Sequence, residues 1–448
     1  MVPGQVVHHD TDPRSRNKGN FGNPAQRGVV FLMDERRSLV NLPRAEQLMR
    51  AAAVEALVAV QPVNVYYCSG FWSVLHKMGF DFAGAAVLPR EPSRGAALIA
   101  SASQLWRLSL REREYPERII PVTAPANDRS LHNPDAPGVH ASAWPVSAQE
   151  TDWSAIQRGW VMASRAAAGN EAATTIHGIA RALRDCGLTE ARVATDDPRL
   201  AGLLAVAGLE RVDCRYLPNL FRRLRMVKSE VELGLMREAA RRNADSAIAT
   251  ARQITAGMTM RDIETQFRIE TAKRGAETVF VVAGGTGLLP HGEVRRGEPL
   301  LIDAVSHYQH YHGDFGRTVV VGEPGAEVRR RVDALRIGWQ ASFEALRPGR
   351  KYSEISQAGL DAIAKAGYRY LTVAHPHSVG LQHTDEPFRD DSPFELKDDI
   401  VLEQGMTLTV DFPHLDVGFG ACHLEDLVEI TADGARPLAN MDEPLIVV

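Results

Sequence analysis

Cysteine is scarce in this chain. Four residues in 448, at positions 68, 186, 214 and 422, are far apart in the sequence. None forms a CxxC pair, so there is neither a thiolate metal spacing nor a disulfide framework. A reducing compartment, the cytoplasm, is the expectation, and any metal has to be held by imidazole and carboxylate. Long apolar runs are also missing. No stretch approaches the ~20 residues of a membrane span, and the N-terminal MVPGQVVHHDTDPRSRNKGN lacks the apolar segment of a secretory signal. A basic excess is absent too: Lys plus Arg is 51 against 56 for Asp plus Glu, a net charge of −5, which excludes a broad nucleic-acid surface. There is no GxSxG nucleophile element, and the Gly-rich AGGTG at 283–287 lacks the spacing of a phosphate loop. What remains is ordinary for a globular protein. Hydrophobic residues make up 44% and charged residues 24%, and the length fits two or three domains.

The chain reads as three parts. Residues 1–28 are polar and rich in Gly, Pro, Asn and Arg, an extended or loosely docked arm. Residues 29–221 alternate strand and helix patterns. The Ala-rich run 43–59 predicts a helix, and VNVYYCSGF (63–71) a β-branched, aromatic strand. Strands are expected at 83–89, 96–101 and 192–197, with an amphipathic helix at 174–188. Together these describe an α/β domain. A basic cluster, RRLRMVK at 222–228, marks the boundary, and its Arg222, Arg223 and Arg225 are expected to form a solvated linker face. Beyond it, Ser229 predicts a helix cap with Glu230 and Glu232 in the first turn, and Thr259 opens a second helix. Residues 222–448 place strands around a pair of helices at 326–346 and 353–366, an α+β arrangement.

The chemistry-bearing residues lie in this second part. Asp303 ends the apolar run LLID and Asp314 lies in HGDFGRT, between Gly313 and Gly316. Their odd separation puts them on opposite faces of one continuous strand, whereas a hairpin bend would let both point to one place. Asp411 ends TLTVD, Glu425 lies in HLEDLVEIT, and His377 and His383 lie in HSVGLQH. Carboxylates gathered together repel and raise one another's pKa. A divalent cation, or a pair, removes that repulsion, and hard carboxylates with imidazole suit Mn, Fe, Co or Zn. Each residue alone also fits a turn former or a hydrogen-bonded histidine. Their joint order favours a metal site. Histidines 307, 310 and 312 in SHYQHYHGD read as outward-facing residues of a hairpin.

These motifs resemble the pita-bread metallopeptidases, the family of creatinase, aminopeptidase P, prolidase and methionine aminopeptidase. RMVKSEVELGLMREAA is similar to the helix that opens the family's catalytic domain. LLIDAVSHYQHYHGDFGRT, HSVGLQHTDEP, LEQGMTLTVDFP and HLEDLVEIT resemble its successive ligand motifs. The resemblance covers about residues 222–448. The part before it resembles the creatinase-type N-terminal domain, chiefly through VNVYYCSGF.

The resemblance implies two divalent ions held by Asp303, Asp314, His377, Asp411 and Glu425, with Asp314 and Glu425 bridging. It implies that His291 contacts substrate and that His383 stabilises the tetrahedral intermediate. The implied activity is hydrolysis of a small peptide or amide by a metal-activated water, of the Xaa-Pro dipeptidase or aminopeptidase type, in a homodimer with no nucleic-acid or membrane partner. Some positions depart from the pattern. Asp411 stands where the family usually has Glu, Ala304-Val305 follow Asp303 where it has x-Gly, the His377-to-His383 interval is one residue shorter than is typical, and His423 replaces an Arg. A metal-dependent lyase of the same fold, such as a dimethylsulfoniopropionate lyase, a creatinase-like C–N hydrolase, and a binding module on an inactive peptidase fold are the alternatives.

Overall fold

Apolar runs buried on both sides build the first of two sheets. In this computed structural model the described residues are 38–110, 116, 118–125, 127–133, 135–139, 149–284, 292–368, 374–439 and 443–448. The arm at 1–28 and His291 lie outside them. Residues 32–448 form one compact unit. Strands β1 (Ala56–Ala59), β2 (Gly84–Pro89), β3 (Ala97–Ser101), β4 (Arg118–Val122), β5 (Arg192–Thr195) and β6 (Asp213–Tyr216) pair in the order β4-β3-β2-β1-β5-β6. β2 runs antiparallel to β1 and β3, and the other pairs are parallel. Every residue of β1 and β2 is buried, as a sheet covered on both faces requires.

Two expectations fail here for physical reasons. The run 43–59 is not one helix. Helix α1 (Leu42–Ala51) ends, Ala53 turns the chain at φ 52°, and Ala56 begins β1. Helix propensity yields to the burial of Leu57 and Val58 between neighbouring strands. VNVYYCSGF is not a strand. It forms helix α2 (Pro62–Ser69), opened by Pro62 and stopped by Gly70 at φ 71°. Its β-forming residues are tolerated because the helix is buried from Asn64 to Ser69.

Helices α3 (Ala155–Ala167), α4 (Thr175–Asp185) and α5 (Leu200–Val206) complete this half. Gly178 lets α4 approach β3, since a Cβ there would sit 2.7 Å from Ile99 Cγ2. Helix α6 (Pro218–Met226) then leads into α7 (Glu230–Ala251), whose N-terminus carries a capping box between Ser229 and Glu232. Helix α8 (Met260–Lys273) has the same device at Thr259 and Asp262.

The basic cluster is not a solvated face. Arg225 is buried and bonded to Asp385, and Arg222 lies over the Phe388 ring at 4.7 Å and donates to Glu386 O at 3.1 Å. Arg223 pairs with Asp390. One apolar cluster joins Leu57, Tyr67 and Phe221 to Met236, Tyr311 and Leu427 across position 222.

The second sheet positions the site. β7 (Glu277–Gly284), β8 (Pro299–Tyr308), β9 (Tyr311–Val320), β10 (His375–Ser378), β11 (Thr407–Asp416) and β12 (Gly420–Ile430) pair in the order β10-β11-β12-β9-β8-β7. Short strands β13 (Ala435–Pro437) and β14 (Leu445–Val447) pair with β12 and β9. Helices α7 and α8 pack against β8 and β9 around Phe267, Ile302 and Phe315. Helices α9 (Ala326–Ala345) and α10 (Tyr352–Lys365) pack against β11 and β12 around Leu335, Ile363 and Phe412.

The β8–β9 hairpin turns at Gln309 and His310, both at positive φ, which suits the right-handed twist of the strands. Its histidines do not face outward. His310 stacks on Trp72 at 4.0 Å, and Tyr66 Oη donates to Gln309 O at 3.2 Å. His312 Nδ1 lies 3.2 Å from Gly380 O, and His307 is half-buried.

Candidate metal centre

The hairpin bend brings Asp303 and Asp314 to one face. Val305 is opposite Asp314 and Asp303 is opposite Gly316, so the two carboxylates are diagonal neighbours. Glu425 on β12 is opposite both Gly316 on β9 and Asp411 on β11. His377 on β10 is opposite Thr409, and His383 follows in the next loop. The two glycines around Asp314 admit different neighbours. A Cβ at Gly313 would meet Asn243 Cβ on α7 at 2.5 Å, and one at Gly316 would meet the His423 ring.

His383 Nε2 lies 3.1 Å and His377 Nε2 3.6 Å from Asp314 Oδ2. His377 Nε2 is also 3.8 Å from Glu425 Oε1, which accepts from Thr409 Oγ1 at 2.9 Å. His423 Nε2 is 2.6 Å from Asp411 Oδ1 and 3.5 Å from Glu425 Oε2. Asp314, His377, His423 and Glu425 are buried, while Asp303, Asp411 and His383 are partly exposed. Two sets each bring their ligand atoms within 4.8 Å of one another: Asp314, His377 and His383, and Asp303, His423 and Glu425.

The electrostatics are those of crowded carboxylates. Burial pushes Asp303 up to about 7, with Asp314 and Asp411 adding to it. Burial and the charges of Asp314, Asp411 and Asp303 push Glu425 well above the usual range. Burial would raise Asp314 too, but the neighbouring His383, with His377 and His423, holds it below its ordinary value. Burial lowers His377. For His383 and His423 burial is outweighed by Asp314 and Asp411 respectively, and both are raised. His383 and His423 therefore serve as counter-charges, a task a divalent cation performs more fully.

The donor set fits such a cation. Asp314 is 3% exposed, yet neither carboxylate oxygen has an aligned hydrogen-bond donor. An orphaned buried carboxylate is costly unless something pairs with it. His377 Nδ1 and His423 Nδ1 are likewise buried without partners.

The structure thus brings together Asp303, Asp314, His377, His383, Asp411 and Glu425. The residues beneath them are pinned by the Arg-Thr that follows in β9. Arg317 is buried, donates to Glu425 O at 2.9 Å and to Gly316 O at 2.7 Å, and pairs with Asp426 at 2.8 Å. The His423 N–H donates to Thr318 Oγ1 at 2.9 Å. His423 itself was legible only as a substitution. The signal for its place is strand period two, which puts it on the face of Glu425.

Parts of this chain are similar to known proteins. The pattern of metallopeptidase family M24 matches residues 234–432. The probable dipeptidase PepE of Mycobacterium bovis is 29% identical over 274 residues, 58% of this chain and 71% of that protein. The Xaa-Pro dipeptidase of Pyrococcus horikoshii is 27% identical over 242 residues, 52% of this chain and 68% of its own length. Among solved structures, the prolidase of Pyrococcus horikoshii OT3 superposes with a TM-score of 0.61 at 19% identity, covering 90% of this chain and 99% of that one. The X-Pro aminopeptidase of Thermotoga maritima MSB8 gives 0.63 at 18%, with 91% and 99% covered. Residues 234–432, which carry these ligand-type side chains, match the pattern of metallopeptidase family M24, and the chain has the pita-bread fold of the solved prolidases.

Proposed function

We propose that the chain is a metal-dependent peptidase of the Xaa-Pro dipeptidase type, acting on short peptides. Two divalent ions, drawn from Mn, Fe, Co and Zn, are held by Asp303, Asp314, His377, Asp411 and Glu425. The observation that carries this reading is Asp314, buried with Oδ1 unpaired and with two imidazoles beside Oδ2. The similarity to a probable dipeptidase and to an Xaa-Pro dipeptidase supports the substrate class. Bound at these residues, divalent ions supply a Lewis acid for the scissile carbonyl and an acidified water.

The chain's own groups do the rest. His377 is buried and held neutral, as a ligand imidazole must be. Thr409 fixes Glu425 Oε1 by its hydrogen bond. His383 is partly exposed and keeps its proton to a higher pH than usual, because Asp314 outweighs its burial. It is placed to donate to a substrate oxygen that acquires charge. The Phe280 ring, 5.4 Å from His383, offers an apolar wall. His291, outside the described residues, is proposed as a further substrate contact.

The test is reconstitution of metal-free protein with each ion in turn. Xaa-Pro dipeptides and dimethylsulfoniopropionate are assayed in parallel. Proline release that a chelator abolishes is expected. Bound metal without proline release overturns the peptidase reading, and acrylate release replaces it with the lyase. A cytoplasmic homodimer is proposed with it: all four cysteines are free, and light scattering tests the dimer.

A further inference from the structure

We propose that His423 is a ligand of the metal centre, sharing with Asp303 and Glu425 a position separate from that of Asp314 and His377. The proposal rests on the reading of this site as a metal centre. One nitrogen of His423 lies within 4.8 Å of ligand atoms of Asp303 and Glu425. The residue is 1% exposed, and its Nδ1 is buried without a partner. His423 Nε2 lies 3.5 Å from Glu425 Oε2 and is held by Asp411 Oδ1 at 2.6 Å, which leaves the unpaired Nδ1 of the same ring as the nitrogen free to meet an ion.

The ring is held for this task. Its backbone is pinned on Thr318, whose hydroxyl accepts from His423 N–H at 2.9 Å and donates to His423 O at 3.2 Å. Its ring lies over Gly316, where a Cβ would come within 2.3 Å of Cε1, so no other residue type leaves room for it. Asp411 Oδ1, 2.6 Å from Nε2, orients the ring, in the way a carboxylate commonly orients a ligand imidazole.

The same contact explains the carboxylate at 411. Asp411 is directly opposite Glu425, and aspartate is one methylene shorter than glutamate. His423 reaches the centre from the neighbouring strand on the same face. A short carboxylate on β11 with an imidazole on β12 supplies the donors that a longer carboxylate would bring from β11 alone.

The test counts coordinated imidazoles on the full chain. Metal-free protein is loaded with one and then two equivalents of Co(II), and imidazole coordination is measured by X-ray absorption. Each equivalent is expected to add imidazole scattering. His423→Gln is expected to lower the count for one ion and to weaken that ion's binding by about tenfold or more. A second equivalent that adds no imidazole scattering in the wild-type protein overturns the proposal, and so does an unchanged count in His423→Gln. Failure of the wild-type protein to bind Co(II) at all defeats instead the reading of the site as a metal centre. The wild-type measurement needs no variant, so a misfolded His423→Gln leaves the proposal decidable.

Discussion

Gly316 lies beneath the imidazole of His423 with no space for a methyl group between them. An added Cβ would be 2.3 Å from Cε1 and 2.5 Å from Nδ1. The backbone of β9 cannot yield, because Gly316 pairs with Asp303 on one side and with Glu425 on the other. Gly316→Ala is therefore expected to cost about 1–3 kcal/mol by overpacking and to push the His423 ring off Asp411. Chemical denaturation measures the first effect and metal titration the second. A variant as stable as the parent, with the same metal affinity, would show that the ring has another place to go.

Asp314 is the residue on which the centre depends most. It is buried, its Oδ1 is unpaired, and both His377 and His383 approach Oδ2. Asp314→Ala is expected to abolish peptide hydrolysis and to reduce metal content to background by elemental analysis. In the wild-type protein, metal removal should lower stability by RT ln(1 + [L]/Kd), about 2.7 kcal/mol at a hundredfold excess of ion over Kd. A melting temperature unmoved by chelator, in protein shown to contain metal beforehand, contradicts that linkage.

Much of this site was legible because its signals are local. An apolar run ending in Asp303, a glycine-flanked Asp314 and the HSVGLQH segment announce themselves within a few residues, as do the helix caps at Ser229 and Thr259. What escaped depends on distant partners. Arg225 reads as a solvated linker because its counter-ion, Asp385, lies 160 positions later. His310 reads as a hairpin tip until Trp72 of the first half stacks on it. VNVYYCSGF has strand-forming residues, and only the burial of α2 makes it a helix.

The Arg225–Asp385 pair leads to a third expectation. Arg225 Nε and Nη2 reach Asp385 at 2.5–3.2 Å, Nη1 donates to Asn64 Oδ1, and both charged side chains are buried. Burial would raise Asp385, but Arg225 holds it below its ordinary value. Arg225→Ala takes from the buried Asp385 carboxylate its hydrogen-bonded counter-ion, leaving only the nearby charges of Lys228 and Arg222, and should destabilise by about 3 kcal/mol. Arg225→Ala with Asp385→Ala should cost less than the sum of the two single changes. Additive costs in that cycle, read by urea unfolding, would show that the pair is not coupled. Asp385 is two residues from His383, so Arg225→Ala should also reduce peptide turnover.

Asp196 provides a pH-dependent expectation away from the metal centre. It is 6% exposed and accepts from Val60 N at 2.9 Å, Gln61 N at 3.1 Å and Asn64 Nδ2 at 2.7 Å, joining β5 to the start of α2. Burial outweighs these three bonds and raises its pKa from 3.8 to about 6. Between those values the folded protein keeps a proton that the unfolded chain has lost. Stability contributed by this group is thus fully present below 3.8, falls as pH rises through about 6, and then levels off. A shift of this size corresponds to about 3 kcal/mol. Asp196→Asn cannot titrate, so the downward slope between pH 4 and 6 should flatten by about that amount relative to the wild-type protein. Urea unfolding of both metal-free proteins across this range is the measurement. Parallel pH profiles for the two would mean that Asp196 stays ionised in the fold.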